Sequence, residues 1–231
     1  MKKIPLHPVA EPRNNLRPLF AHLVILLVFC FHGGYLSAQE SSFKAVSLFD
    51  GKTLRGWKTV DPADTPLWKV VDSVITGGDG VKLIASNSNL YTETEYGDFE
   101  FRCLFRLSGD SFTGLINSGI QYRSKIVDKN IIGYQADIGN GYWGDIYDEH
   151  RRGKLAAGDL SILSRLLKED GWNSYIIRVK GTRHELYING VKTCDYKEKD
   201  PQIPARGVIA VQVHAGGAGK VEFRDLTITP L

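Results

Sequence analysis

The stretch DFEFRCLFRL, residues 98–107, alternates almost strictly between polar or charged and apolar side chains. In an extended strand, successive side chains point to opposite faces of the sheet. One face therefore carries Phe99, Phe101, Cys103, Phe105 and Leu107, whereas the other carries Glu100, Arg102 and Arg106. This alternation predicts a β-strand with one buried side.

Similar short runs, separated by turn residues, fill most of the sequence that follows. The pair Asn189-Gly190 predicts a β-hairpin, because both central residues of a type I′ turn need positive φ. Gly181 marks the preceding turn within the strand-rich segment 174–196. Further strands are expected at 68–71, 82–86, 119–123, 133–138, 207–217 and 220–231.

Only one segment has the spacing of a helix. Asp159 is a suitable N-cap for residues 160–170, in which Leu160, Leu163 and Leu167 recur at helical spacing. Many short strands with frequent Gly, Asn and Asp turns and a single short helix predict an all-β protein. We expect an antiparallel β-sandwich, specifically a jelly roll.

The first residues have the composition of an export signal. Four Lys and Arg residues precede the apolar run 23–31, and small residues follow it. This order predicts a signal peptide over residues 1–38 and a single domain over 39–231, exported to the periplasm or the exterior of a bacterium. The apolar run is shorter than the roughly 20 residues of a spanning helix, so no stable membrane insertion is expected after cleavage.

Charge and cysteine content limit the classes of function. The leader carries four of the 29 Lys and Arg residues and one of the 26 Asp and Glu residues, so 25 of each sign remain after it. This balance does not favour nucleic acid as a partner, because nucleic-acid binding requires a basic patch. Cys103 and Cys194 follow the leader, and their spacing leaves open a disulfide or two buried thiols.

Three expected strands carry large hydrogen-bonding side chains two residues apart. The pairs are Gln121 with Arg123, Gln135 with Asp137, and Gln212 with His214. Residues two apart share a face of a strand, so neighbouring strands would form one polar patch. Asn117 enters the first of these strands, and Tyr142, Trp143 and Tyr147 could wall the patch. A polar patch with aromatic walls suits a sugar, although an ordinary solvated sheet face also alternates in this way.

Seven pieces of the chain, taken in order, resemble the 3-keto-disaccharide hydrolase domain family. They are LFDGKTLRGW (48–57), YGDFEFRCLFRL (96–107), NSGIQYRS (117–124), GYQADI (133–138), DGWNSYIIRVKG (170–181), LYINGVKTCDY (186–196) and VQVHAGGAGKVEFRDLTITPL (211–231). The resemblance implies a concanavalin A-like lectin/glucanase sandwich that acts on carbohydrate.

One position departs from the pattern of this family. Many members carry an acidic residue where this chain has Gln135. Against the more distant retaining glucanases, Gln135 replaces the nucleophile, Asp137 remains, and Gly139 lies where a further acid would be sought. An amide cannot act as a carboxylate nucleophile or a general base, so we do not expect ordinary two-carboxylate glycoside hydrolysis.

The resemblance instead implies cleavage of 3-keto-glycosides by abstraction of the C2 proton, elimination and hydration. This chemistry needs a base, a group that stabilises the enolate oxygen, and an acid for the leaving group. Asp137 or His214 is the candidate base, Arg123 or a bound metal the oxyanion partner, and Glu149 or Tyr147 the acid. The candidate substrate-binding residues are Asn117, Gln121, Gln135, Tyr142, Trp143, Tyr147 and Gln212.

Two other hypotheses for the function stay open from the sequence alone. The same fold supports a non-catalytic carbohydrate-binding module, in which Trp143, Tyr142 and Gln135 would bind the ligand. It also supports a structural module with a uniformly solvated polar face. No cofactor is certain; Asp145, Asp148 and Glu149 leave room for a divalent metal such as calcium, although their spacing matches no known ligand loop.

Overall fold

The computed structural model describes residues 44–231 as two antiparallel sheets packed face to face; the expected signal peptide lies outside the described residues. One sheet contains β1 (Val46–Ser47), β3 (Trp68–Val71), β4 (Val74–Gly78), β6 (Phe99–Asp110), β11 (Asn173–Lys180), β12 (Arg183–Ile188), β13 (Val191–Lys197) and β15 (Ala218–Pro230). The other contains β2 (Trp57–Thr59), β5 (Ser88–Tyr96), β7 (Asn117–Val127), β8 (Asn130–Gly139), β9 (Ile146–Glu149), β10 (Gly153–Ala156) and β14 (Gly207–Val213). The predicted all-β sandwich is confirmed.

The order of strands places the polar segments of the sequence side by side. The first sheet runs β13-β12-β11-β6-β15-β4-β3, with β1 paired to β15. The second sheet runs β10-β9-β8-β7-β14-β5-β2. The three strands that carry the predicted polar pairs, β7, β8 and β14, are therefore adjacent at the centre of the second sheet.

The core forms from the inward halves of these alternating strands. Phe99, Phe101 and Phe105 of β6 are fully buried, as the alternation in residues 98–107 predicts. Ile120, Ala136 and similar residues of the second sheet meet them from the opposite side. Burial of these apolar side chains is the main force that holds the two sheets together.

Three register shifts, between the four neighbouring strands β8, β7, β14 and β5, form a crease across the second sheet. The pairing of β7 with β8 shifts between Tyr122 and Lys125. The pairings of β14 with both β7 and β5 shift between Val208 and Ala210. Arg123 lies in the crease with φ of +46°, a backbone conformation that suits a β-bulge.

Two local expectations were wrong. The helix α1 spans only Leu160–Leu163, and turns follow it, so the predicted helix over 160–170 is mostly absent. Residues 82–86 form a bend-rich loop, whereas the neighbouring strands are β4 and β5. Two short 3-10 helices, Pro62–Leu67 and Ser111–Thr113, complete the described elements.

The two cysteines that follow the leader do not form a disulfide. Cys103 and Cys194 are both buried and unpaired. Burial raises the pKa of the Cys194 thiol to about 11 and raises the pKa of Cys103 further.

Within residues 44–231, no helix combines the length and the apolar character needed to cross a bilayer.

Candidate functional site

The outer face of the second sheet carries two rows of polar residues in register. The first row crosses β5, β14, β7 and β8, and its paired residues are, in that order, Asn89, Gln212, Gly119 and Asp137. In the second row, Ala210 lies opposite Gln121, Gln121 opposite Gln135, and Gln135 opposite Tyr147. The side chains of these rows are mostly buried: Gln121 is 0% exposed and Gln212 is 1% exposed. The face is therefore recessed, unlike a uniformly solvated sheet face.

A cavity of about 180 Å³ opens at the Asp137 end of these rows. Seven predicted site residues line it together: Asn117, Gln135, Asp137, Tyr142, Tyr147, Glu149 and His214. They come from β7, β8, β9, the β8–β9 loop and the residue after β14, so the sheet order brings together positions distant in sequence. The cavity also contains Leu115, which the sequence did not single out.

A chain of hydrogen bonds fixes the carboxylate of Asp137. Gln121 donates from Nε2 to Gln135 Oε1 at 2.5 Å, and Gln135 donates from Nε2 to Asp137 Oδ1 at 2.5 Å. Gly119 makes this arrangement possible, because a Cβ at that position would lie 2.5 Å from Gln135 Cδ. Gln135 therefore orients Asp137.

Burial changes the acidity of both carboxyl groups in the cavity. Burial raises the pKa of Asp137 to about 7; the hydrogen bond from Gln135 opposes this shift, and the charges of Asp145 and Glu149 add to it. The pKa of Glu149 is also raised, chiefly by burial, while His150 and His214 oppose that shift. The cavity therefore contains two carboxyl groups that exchange protons closer to neutral pH than ordinary ones.

His214 and the two tyrosines complete the walls. His214 is half-buried, its backbone N–H donates to Asn117 O, and its Nδ1 lies 2.6 Å from Ala215 O. Tyr142 packs beneath Lys154, whose Nζ lies 5.1 Å from the ring centre. Lys154 in turn binds Asp145 at 2.5 Å and lies near enough to Asp137 to act on its charge.

The expectation that Arg123 shares this face was wrong. The guanidinium donates to Gly97 O, Gly181 O and Asp98 Oδ1, so it connects two turns at the end of the sandwich. The crease at Arg123 interrupts the alternation and turns its side chain away from the row of Gln121. Arg123 thus lies outside the cavity of Asp137.

Trp143 was also expected on this face and lies elsewhere. Its ring packs on Phe105, with the ring centres 6.2 Å apart, and lines a separate groove beside α1. Gln121 reaches the Asp137 cavity only through its bond to Gln135. Gln212 lines an adjacent cavity of about 480 Å³, which shares Glu149 with the first one.

The suggested calcium ligands do not converge. Asp148 accepts hydrogen bonds from Arg151 and Arg152, and Asp145 binds Lys154 and the backbone N–H of Gly158. Only Glu149 of the three faces the cavity. Across residues 44–231, no three His, Cys, Asp or Glu side chains form a group that fits a metal ion. These three residues therefore do not form the calcium site that the sequence left open.

Asn89 and Gly119 were not singled out from the sequence, although both belong to the polar rows. The alternation of β5 contains Asn89 among ordinary polar residues, so its position beside Gln212 depends on the pairing of β14 with β5. The signal for Gly119 was present, because a glycine inside a strand indicates a close approach of another group.

The family described as 3-keto-alpha-glucoside-1,2-lyase-like domain matches residues 44–229. No curated protein matches the chain.

Solved structures with the same fold include three from two bacteria. A proposed glycosyl hydrolase from Parabacteroides distasonis ATCC 8503 is 19% identical, with a TM-score of 0.58, over 81% of this chain and 94% of that one. The carbohydrate binding module CBM66 from Bacillus subtilis is 14% identical, with a TM-score of 0.57, over 75% and 95%. A galectin-like protein of unknown function from Bacillus subtilis is 8% identical, with a TM-score of 0.55, over 76% and 90%. At these identities the likeness establishes the fold alone.

Proposed function

Since the chain belongs to the 3-keto-alpha-glucoside-1,2-lyase-like domain family, we propose that it cleaves 3-keto-glycosides by elimination followed by hydration. Family membership gives a carbohydrate-related function, and the cavity of Asp137 supports the finer proposal. The observation that carries it is a buried carboxyl group whose pKa is raised to about 7 among hydrogen-bond donors and a second carboxyl group.

Asp137 is the base in this proposal. The ketone at C3 acidifies the C2 proton, and a base with a pKa near the working pH removes such a proton most effectively. The hydrogen bond from Gln135 holds one oxygen of Asp137 and leaves the other for the substrate. The electron pair of the C2–H bond then moves toward C3, and the C3 oxygen gains negative charge.

Donors in the same cavity can stabilise that charge. The Asn117 amide, the His214 ring and the hydroxyl groups of Tyr142 and Tyr147 all line the space beside Asp137. Arg123 is not the oxyanion partner, because its guanidinium donates hydrogen bonds to the carbonyl groups of two turns. Fixed donors in a recessed site stabilise a developing oxyanion more strongly than water does.

Glu149 is the acid that serves the leaving group. Its raised pKa favours the protonated form, and it lines both the Asp137 cavity and the adjacent larger cavity. The enolate then returns its electron pair, so that the C3 ketone re-forms, a C1=C2 double bond forms and the C1–O bond breaks, and Glu149 gives its proton to the departing oxygen. Water then adds across this double bond, so that elimination and hydration together amount to hydrolysis.

A direct two-carboxylate displacement is not part of the proposal. Gln135 occupies the position at which many family members carry an acid, and its amide lies 2.5 Å from Asp137 Oδ1. A retaining glycosidase needs carboxyl groups about 5–5.5 Å apart, and an inverting one needs about 6.5–9.5 Å. Residue 135 is an amide, which cannot be the carboxylate nucleophile, and Gly139 stands where the second acid of such a pair would be sought.

A non-catalytic sugar-binding module is the second candidate. The hydrogen-bond chain from Gln121 to Gln135 to Asp137 favours it, because a fixed amide and carboxylate also bind hydroxyl groups without reaction. The two candidates differ in whether the C2 proton exchanges with solvent.

The test is cleavage of p-nitrophenyl 3-keto-glucosides of both anomers in D₂O. The proposal requires release of nitrophenol and solvent deuterium at C2 of the sugar product. Asp137→Asn should lose activity by about 10²–10⁴-fold, as expected for removal of a general base. Asp225→Asn makes the same chemical change at an exposed position and should leave the rate unchanged. Ligand binding without turnover would favour the binding module, and turnover without deuterium at C2 would contradict the elimination.

A further inference from the structure

We propose that Lys154 is a positioning residue of the site: its ammonium group, anchored on Asp145, keeps the neighbouring Asp137 carboxyl ionised and so available as the base. This inference rests on the proposed function for the role of Asp137, but the effect of Lys154 on Asp137 can be measured without any reaction. The sequence did not single out Lys154.

The register of the second sheet places Lys154 on the face of the site. Lys154 of β10 pairs with Tyr147 of β9, and Tyr147 pairs with Gln135 of β8. Residues paired across antiparallel strands lie on the same face, so Lys154 extends the row of Gln121, Gln135 and Tyr147 by one strand. Because β10 is the edge strand of this sheet and the side chain is 43% exposed, the ammonium group lies at the rim of the recessed face.

Two contacts hold the ammonium group at this rim. Lys154 Nζ lies 2.5 Å from Asp145 Oδ2 and 5.1 Å from the centre of the Tyr142 ring. Asp145 is buried, and its other oxygen, Oδ1, accepts a hydrogen bond from the backbone N–H of Gly158 at 2.7 Å. A buried carboxylate that is held on both oxygens fixes its lysine more firmly than a pair of two mobile surface side chains does.

Backbone hydrogen bonds join this ion pair to Asp137. The Asp137 N–H donates to Asp145 O, and the Gly144 N–H donates to Asp137 O, each at 3.1 Å. These two bonds fix the spacing between Asp137 and the anchor of Lys154. The Asp137 carboxyl is itself buried, and a charge at its rim acts on it more strongly than it would in water.

Few positive charges are available to Asp137. The titratable groups that face it are carboxyl groups, phenols and one imidazole, from Asp145, Glu149, Tyr142, Tyr147, Tyr175 and His214. Within residues 44–231, no Lys or Arg side chain lines the Asp137 cavity. Lys154 therefore supplies from the rim the positive charge that the cavity wall lacks.

The charges around Asp137 act in opposite directions. Burial raises the pKa of Asp137 to about 7; the hydrogen bond from Gln135 and the charge of Lys154 oppose this shift, whereas the charges of Asp145 and Glu149 add to it. The bond with Asp145 raises the pKa of Lys154, so the ammonium group stays charged at neutral pH. Lys154 thus offsets the repulsion that its own anchor exerts on the base.

The experiment removes the charge and keeps the packing. Lys154→Met retains an unbranched side chain over Tyr142, whereas Lys154→Arg retains the charge. A ¹³C NMR titration of the aspartate carboxyl carbons, assigned with Asp137→Asn, gives the midpoint of Asp137 in each protein. We expect Lys154→Met to raise this midpoint by about half a pH unit or more, and Lys154→Arg to leave it within about 0.2 pH units.

Asp145→Asn provides the opposite charge change. It removes a negative charge beside Asp137, so the midpoint should fall, and adding Lys154→Met to Asp145→Asn should raise it again. The double variant also lacks the buried carboxylate that Lys154→Met alone leaves without its cation, so it keeps the test valid if that single variant unfolds. A purely structural role would give no such opposed and compensating shifts.

Lys192→Met is the matched control. Lys192 binds Asp195 at 2.9 Å on the edge strand of the other sheet, and its side chain is 38% exposed, close to the exposure of Lys154. This change should leave the Asp137 midpoint where it is in the wild type.

The reaction gives a separate readout. On a 3-keto-glucoside, the acid limb of kcat/KM should shift in the same direction as the NMR midpoint, with KM within about twofold of the wild type. Shifted midpoints in proteins without turnover would sustain the role of Lys154 and contradict the proposed reaction. An unchanged midpoint in Lys154→Met, or a rise in KM alone, would overturn the inference.

Discussion

Gln135 donates its side-chain amide to Asp137 Oδ1 at 2.5 Å, two residues along the same strand. The choice of an amide at position 135 therefore has a physical consequence for Asp137. An acid at position 135 would repel the Asp137 carboxylate, whereas the amide supports it. The burial that raises the pKa of Asp137 is thus partly offset by its nearest neighbour.

The rate of cleavage should depend on the ionisation of Asp137. Because Asp137, whose pKa is raised to about 7, must be deprotonated and Glu149 must be protonated, kcat/KM should fall toward acid pH as Asp137 gains a proton and toward alkaline pH as Glu149 loses one. A pH–rate profile on a 3-keto-glucoside measures this. A profile that is already flat from pH 5 upward would remove Asp137 from the role of base.

The stability of Asp137→Asn should exceed that of the wild type at alkaline pH. The folded carboxyl binds a proton up to about pH 7, whereas the unfolded one has released it above about 3.8, so wild-type stability falls through this window. Asparagine removes that loss, which is of order 2–4 kcal/mol. Urea unfolding at pH 4 and pH 9 should show a gain only at pH 9; an equal effect at both would contradict the assignment.

Gln135→Glu should shift the pH profile toward alkaline values. The change removes the donor to Asp137 and places a second carboxyl group beside it, so the pair should titrate at least about one unit higher. The same pH–rate measurement checks the shift, with the exposed Gln202→Glu as the charge-matched control. We expect no cleavage of unoxidised glucosides, since Gly139 still stands where the second acid of a displacement pair would be sought.

Arg123→Lys should weaken the fold and leave the reaction intact. Lysine cannot reproduce the three directed bonds to Gly97, Gly181 and Asp98, so we expect a loss of about 2 kcal/mol of unfolding free energy. The kinetic constants of the folded variant should stay within about twofold of the wild type, because lost unfolding free energy need not disturb a folded site. Arg55→Lys, at an exposed site, serves as the control. A large loss of kcat in a stable Arg123→Lys protein would return Arg123 to the catalytic machinery.

The two thiols should remain free and shielded. Cys103 and Cys194 are buried, and burial raises the pKa of each, so little thiolate is present near neutral pH. Protein that begins after the expected leader should show two thiols by Ellman titration in denaturant and slow reaction when native. Insensitivity of the melting temperature to dithiothreitol would agree with this, whereas a drop would indicate a disulfide.

The strand pattern of the sequence predicts much of this site, because alternation with period two fixes which residues share a face. Gln121, Gln135, Asp137 and Gln212 were placed correctly on one recessed face for that reason. The fold class and the family resemblance were confirmed in the same way, by patterns that extend over many strands.

The errors come from features that alternation does not encode. The prediction for Arg123 assumed unbroken alternation along β7, whereas a bulge turns the Arg123 side chain away from the predicted face. A single sequence contains no strong signal for that bulge. Trp143 lies in a loop, where no period links a residue to a face. The adjacent cavity depends on strand pairing between distant segments. The sequence around Asn89 therefore does not predict that this residue lies opposite Gln212.

The crease divides the second sheet into two parts, and the pairing register of one part does not depend on that of the other. Residues on the Asp137 side keep one uninterrupted pairing, and the tip of the β7–β8 hairpin keeps another. A length change at that tip would be absorbed before it reached Gln121 or Gln135. The hairpin tip, which carries Lys129 at the rim of the larger cavity, is therefore where the wall of that cavity can be lengthened without realigning Gln121 or Gln135.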